Sequence, residues 1–162
     1  MHHEVELGVI IGRGGFNIPE AEAMDHVGGY CLALDMTARE FLHEKIIPKA
    51  LPWGLGKAFE TSCPVSRALS REEVGDPHDV ELWCRVNGVE RQRDRTSNMI
   101  FNIPQVISYV SSFLTLHPAD VIITGTPAGL GSVRAGDVVE CGITDVISMK
   151  FEMEPQKLVS KI

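Results

Sequence analysis

The 162 residues carry 44% apolar and 23% charged side chains and a formal charge of −7, a balance that suits a folded domain and excludes collagen-like, coiled-coil and broadly disordered classes. The length fits one domain with its own core, and Lys and Arg scattered singly argue against a nucleic-acid footprint. No apolar run is long enough to cross a membrane, and Cys31, Cys63, Cys84 and Cys141 are too far apart for a C-x-x-C motif, so reduced, buried thiols inside a cell are expected.

Val5, Leu7, Val9 and Ile11 recur at a period of two, which predicts a strand with that face buried. No signal or transit segment is read ahead of it. Glu4 and Glu6 share the opposite face, roughly 6.5–7 Å apart along the strand, where two carboxylates can converge on one ion. Residues 12 to 17 read as a loop. Pro19 to His26 reads as a short helix with Pro in its first turn, ended by Gly28-Gly29. The apolar run that begins at Tyr30, after Gly28-Gly29, and ends at Asp35 reads as a second strand, with Asp35 at its C-terminal end. Glu4 and Glu6 alone also suit a solvated strand face, but a third carboxylate without a Cys or His cluster favours Mg²⁺ or Mn²⁺, which prefer oxygen ligands.

From Thr37 to Ile47 a second helix is expected, stopped by Pro48, followed by an irregular approach through Leu51-Pro52-Trp53-Gly54 to Lys57. Residues 70–79 read as polar turns. Val80 to Val86 alternates cleanly and meets Asn87-Gly88, a strong two-residue hairpin signal, with the return strand over Val89 to Arg93. A capping-box pair, Asn102 and Gln105, opens a helix whose apolar stripe is Val106, Ile107, Val110, Phe113 and Leu114. Strands are then expected at Asp120–Thr124, Val138–Ile143 and Ile147–Met153. The loop from Gly125 to Gly131 is neither G-x-G-x-x-G nor a Walker motif, and no helical pattern follows it, which argues against a nucleotide site. Short strands outnumber isolated helices, so the expected class is α+β, mainly β, and not a doubly wound sheet.

Five motifs in order, His2-His3-Glu4-Val5-Glu6, Asp35-Met36-Thr37-Ala38-Arg39, Leu51-Pro52-Trp53 before Lys57, Thr96-Ser97 before Met99-Ile100-Phe101, and Gly125-Thr126-Pro127-Ala128-Gly129, resemble the fumarylacetoacetate hydrolase (FAH) family, in its acylpyruvase and oxaloacetate decarboxylase branch. The resemblance implies a mixed β-sandwich roll over residues 1–155 with a tail at 156–162, a homodimer, and Mg²⁺ or Mn²⁺ held by Glu4, Glu6 and Asp35. It implies contacts to a small 2-oxo acid from Arg39, Lys57, Gly125 and Thr126, with Lys57 and Thr126 catalytic. Mitochondrial residence follows by the same resemblance, with the cytoplasm as the alternative.

The chain departs from the family pattern in two ways. The family's region before the Glu-x-Glu pair, including a lid that carries a His and a Glu to activate water, is not matched here. The Asp-Met-Thr-Ala-Arg motif is followed by Glu40-Phe41-Leu42-His43, without the branch's glutamine. The expectation is therefore an N-terminally truncated FAH domain in which oxaloacetate decarboxylation, needing no attacking water, outlasts acylpyruvate hydrolysis. A non-catalytic module that binds metal or dimerises without turnover is the alternative.

Overall fold

The computed structural model describes residues 1–155; the tail expected at 156–162 lies outside them. Three antiparallel sheets make up the frame, with no parallel pair among the described residues. This is the expected α+β, mainly β arrangement with short helices. In chain order the strands are β1 (His2–His3), β2 (Val5–Ile11), β3 (Val27–Leu34), β4 (Glu81–Val86), β5 (Val89–Arg95), β6 (Val121–Ile123), β7 (Gly131–Ser132), β8 (Val138–Ile143) and β9 (Ile147–Glu152).

β2 is the middle strand of the order β3-β2-β6, and β1 pairs with β7. The β-branched alternation of β2 puts Val5, Leu7, Val9 and Ile11 into the core. Its other face is covered as well, so Glu4 and Glu6 are buried and do not lie on the solvated face that their pattern also allowed. β2 lies across β4, the second strand of the four-stranded order β5-β4-β8-β9. Leu82, Cys84 and Val86 of β4 meet Ile103 and Ile107 in the same core. Each such side chain contributes roughly 1.5–3 kcal/mol by leaving water.

The helices are short. Glu20–His26 is a 3₁₀ helix with Pro19 at its N-cap; it stops at His26, and Gly28-Gly29 belong to β3 and do not end it. Arg39–Phe41 (α1) runs into a π-turn over Leu42–Ile46 and a 3₁₀ turn over Ile47–Lys49. Pro48 does not stop this segment but sits in the first turn of its closing 3₁₀ helix, where an N–H would have no partner within that helix, and Ala50 ends it at φ 49°. The stretch read as irregular before Lys57 closes into α2 (Gly54–Lys57). Within the stretch read as turns, a capping box between Ser70 and Glu73 nucleates α3 (Arg71–Val74). The Asn102–Gln105 box opens α4 (Ile103–Ser111) as expected. Its stripe is narrower than the sequence pattern suggested, because the helix ends at Ser111 and leaves Phe113 and Leu114 exposed beyond it.

Candidate metal centre

Antiparallel pairing of β2 with β3 sets Val5 opposite Leu34 and Glu6 opposite Ala33. One step further, Asp35 N–H donates to the Glu4 carbonyl at 2.8 Å, so the end of β3 is fastened beside the start of β2. The sequence named the three carboxylates, and this register brings them together. One oxygen each from Glu4, Glu6 and Asp35 lies within 4.8 Å of the others.

Lys57 reaches the same point from a third element. Its Nζ donates to Glu4 Oε2 at 3.0 Å and to Asp35 Oδ2 at 2.5 Å. Burial works against its charge, but the two carboxylates outweigh burial and raise its pKa. α2 can carry Lys57 this close because Ala38 N–H donates to the Gly56 carbonyl at 3.0 Å and because residue 56 has no side chain. A Cβ at Gly56 would stand 2.5 Å from Leu42 Cγ and Cδ2.

The loop after β6 completes the cluster. Thr124 Oγ1 donates to the Leu7 carbonyl at 2.8 Å and Thr126 Oγ1 to the Val5 carbonyl at 2.9 Å. Between them Gly125 N–H donates to Glu6 Oε2 at 2.6 Å. Gly125 holds φ at 101°, a region that an L side chain rarely enters. Burial pushes the Glu6 pKa up to about 7; the Gly125 N–H opposes this, and the nearby Asp35 and Glu4 charges add to it.

These features fit a divalent cation. Three carboxylates facing one ammonium leave a formal charge of −2, and every donor is oxygen. Ligands on a Mg²⁺- or Mn²⁺-sized ion sit about 2.1 Å from it, hence roughly 3–4 Å apart, a spacing that modest side-chain rotation reaches from the present positions.

Arg39, on α1, makes no hydrogen bond or ion pair to the cluster among the described residues. Thr126 touches the strand that bears Glu4 and Glu6 and not the carboxylates themselves. Two residues to which the sequence assigned no role lie directly behind the cluster: His3, fully buried, and Gln92, 1% exposed, joined Nδ1 to Oε1 at 2.9 Å. Burial lowers the His3 pKa, against the hydrogen bond to Gln92, which raises it. A cavity of about 380 Å³ opens on the far side of Gly125 and Thr126, bounded by Leu82, Met99, Ile100, Phe101 and Val106.

The model of the family described as fumarylacetoacetate (FAA) hydrolase C-terminal matches residues 1–153. The chain belongs to the fumarylacetoacetate hydrolase family. It is similar to the oxaloacetate tautomerase FAHD1, mitochondrial, of Rattus norvegicus, at 53% identity over 97% of this chain and 71% of that protein. The Homo sapiens protein of the same name is 51% identical over 95% of this chain and 69% of its own length. Among solved FAH-family structures, the fumarylpyruvate hydrolase from Pseudomonas aeruginosa in complex with Mn²⁺ and pyruvate superposes with a TM-score of 0.90, at 34% identity. That match covers 96% of this chain and 66% of the other.

Proposed function

We propose that this FAH-family chain is a divalent-metal-dependent enzyme acting on a small 2-oxo acid of the oxaloacetate or acylpyruvate type. The observation that carries the reading is the convergence of Glu4, Glu6 and Asp35 with Lys57 beside them. The Mn²⁺ and pyruvate in the Pseudomonas aeruginosa relative and the tautomerase names of the mammalian relatives support it. Mg²⁺ or Mn²⁺ held by the three carboxylates would supply Lewis-acid polarisation of a 2-keto group, which eases C–C cleavage, decarboxylation and keto–enol exchange alike.

The chain's own residues supply the rest. Lys57, now spent on Glu4 and Asp35, is the cation that turns to a substrate carboxylate once those two are neutralised. Gly125 fixes Glu6, and Thr126 lies one residue on, at the border between the carboxylates and the cavity. Arg39 adds positive charge four residues beyond Asp35, in a protein whose net charge of −7 otherwise repels anions. Mitochondrial residence, stated in the names of the rat and human relatives, belongs to the same reading. So does pairing as a homodimer, for which exposed Ile100, Phe101, Tyr109, Phe113 and Leu114 around α4 supply apolar surface.

The test is oxaloacetate turnover followed by absorbance, with Mn²⁺ alone as the reference. The expected result is a rate well above free metal that Asp35→Ala and Lys57→Met both abolish. A wild-type rate equal to free metal would leave a binding module without turnover.

A further inference from the structure

Every residue of β5 but one is exposed or half-buried, and the exception is Gln92, a polar side chain at a core position. Its inward aim comes from an irregularity. Counting back from the Asn87-Gly88 turn, a regular hairpin would set Gln92 opposite Trp83; the ladder instead pairs Arg85 with Glu90 and Cys84 with Gln92, leaving Arg91 as an extra residue. That bulge turns Gln92 to the buried side that Cys84 faces. Gly129 abuts it, since a Cβ there would overlap the Arg91 carbonyl.

Once buried, the carboxamide uses all four of its hydrogen-bonding positions. Oε1 accepts from His3 Nδ1 at 2.9 Å and from Val5 N–H at 3.3 Å. Nε2 donates to Thr126 Oγ1 and to the Pro127 carbonyl, each at 2.8 Å. Two of these partners have fixed roles, because the Val5 N–H only donates and the Pro127 carbonyl only accepts, so the amide cannot flip. The remaining two roles follow. His3 carries its proton on Nδ1, leaving Nε2 as a buried acceptor without a partner among the described residues. Thr126 accepts from Gln92 and gives its own proton to Val5, so its hydroxyl has no proton left for a substrate.

We propose that Gln92 is a positioning residue of the 2-oxo acid site: its acceptor half holds the Glu4–Glu6 strand and its donor half holds the Thr126–Pro127 loop, setting the distance between metal ligands and substrate loop. This rests on the functional reading above. It also assigns Thr126 a substrate contact through its backbone N–H or as an acceptor, never as a hydroxyl donor.

Two variants separate the halves. Gln92→Glu keeps the acceptors and loses both donors; Gln92→Met keeps the volume and loses all four bonds. Titrations with Mn²⁺ alone, then with pyruvate on the Mn²⁺-loaded protein, are expected to show Gln92→Glu weakening pyruvate by about tenfold or more while Mn²⁺ affinity changes by less than about threefold. Gln92→Met should weaken both. If both variants lose thermal stability but the folded protein binds pyruvate as the wild type does, Gln92 is merely structural and the proposal is overturned. Nitrogen-15 shifts of the His3 ring in the wild type form an arm independent of any substrate. A neutral Nδ1–H tautomer is expected, and an Nε2–H tautomer would overturn the network. A wild type that bound no pyruvate would defeat the functional reading, leaving the tautomer to judge the hydrogen bonds by themselves.

Discussion

Glu6 is the residue on which the competing demands of folding and chemistry meet most directly. It is 4% exposed, accepts one N–H from Gly125, and faces Glu4 and Asp35 with no ion pair of its own among the described residues. Burial and its neighbours raise its pKa to about 7, so holding it ionised costs the metal-free fold on the order of 3 kcal/mol at alkaline pH. Glu6→Gln keeps an acceptor for Gly125 and removes the charge. At pH 8 the metal-free variant is expected to melt a few degrees above the metal-free wild type, and the stabilisation by Mn²⁺ is expected to vanish. A lower melting point with the Mn²⁺ response intact would mean that Glu6 is a structural acid and not a ligand. Glu4, Glu6 and Asp35 could be named from sequence because oxygen-ligand chemistry needs few residue types. Their meeting could not, since it depends on which strands pair.

Among the elements, most with local causes matched their sequence signals, α3 being the exception, since its Ser70–Glu73 capping box lies in a stretch read as turns. The Asn87-Gly88 turn, both residues at positive φ, joins β4 to β5 as read, and the Asn102 capping box opens α4. Misreadings arose where tertiary packing decides. α2 is four residues long, with no periodicity to detect, and it exists because Gly56 seats against Leu42. The bulge at Arg91 leaves no sequence mark, which is why Gln92 passed unnoticed among charged neighbours. Gly56→Val tests what α2 is for. It should displace Lys57 without moving β2 or β3, raising KM for oxaloacetate by about tenfold while Mn²⁺ affinity stays near wild type. An unchanged KM would show that Lys57 does not need this seat.

For the whole molecule, the design is a β2-centred core with charge gathered at one end of it. Val5 and Leu7 are buried in β2, which carries Glu6 and begins directly after Glu4, so the site inherits its rigidity from the core. Ile107→Ala, at the centre of α4, removes packing from that core and should cost about 2–5 kcal/mol. If the fold and the site are coupled in this way, added Mn²⁺ should recover part of the loss, read as a metal-dependent rise in denaturation midpoint. Light scattering on the same protein tests pairing. A dimer is expected, and Phe101→Glu with Phe113→Glu should yield monomers if the exposed α4 surface is what pairs.

Glu4 and Glu6, before and within β2, and Asp35, just after β3, are proposed to form one divalent-cation site, which calorimetric titration of the purified protein with Mn²⁺ measures. One ion bound per chain is expected, with affinity reduced by about tenfold or more in each of Glu4→Ala, Glu6→Ala and Asp35→Ala. Undiminished binding in all three folded variants would contradict it.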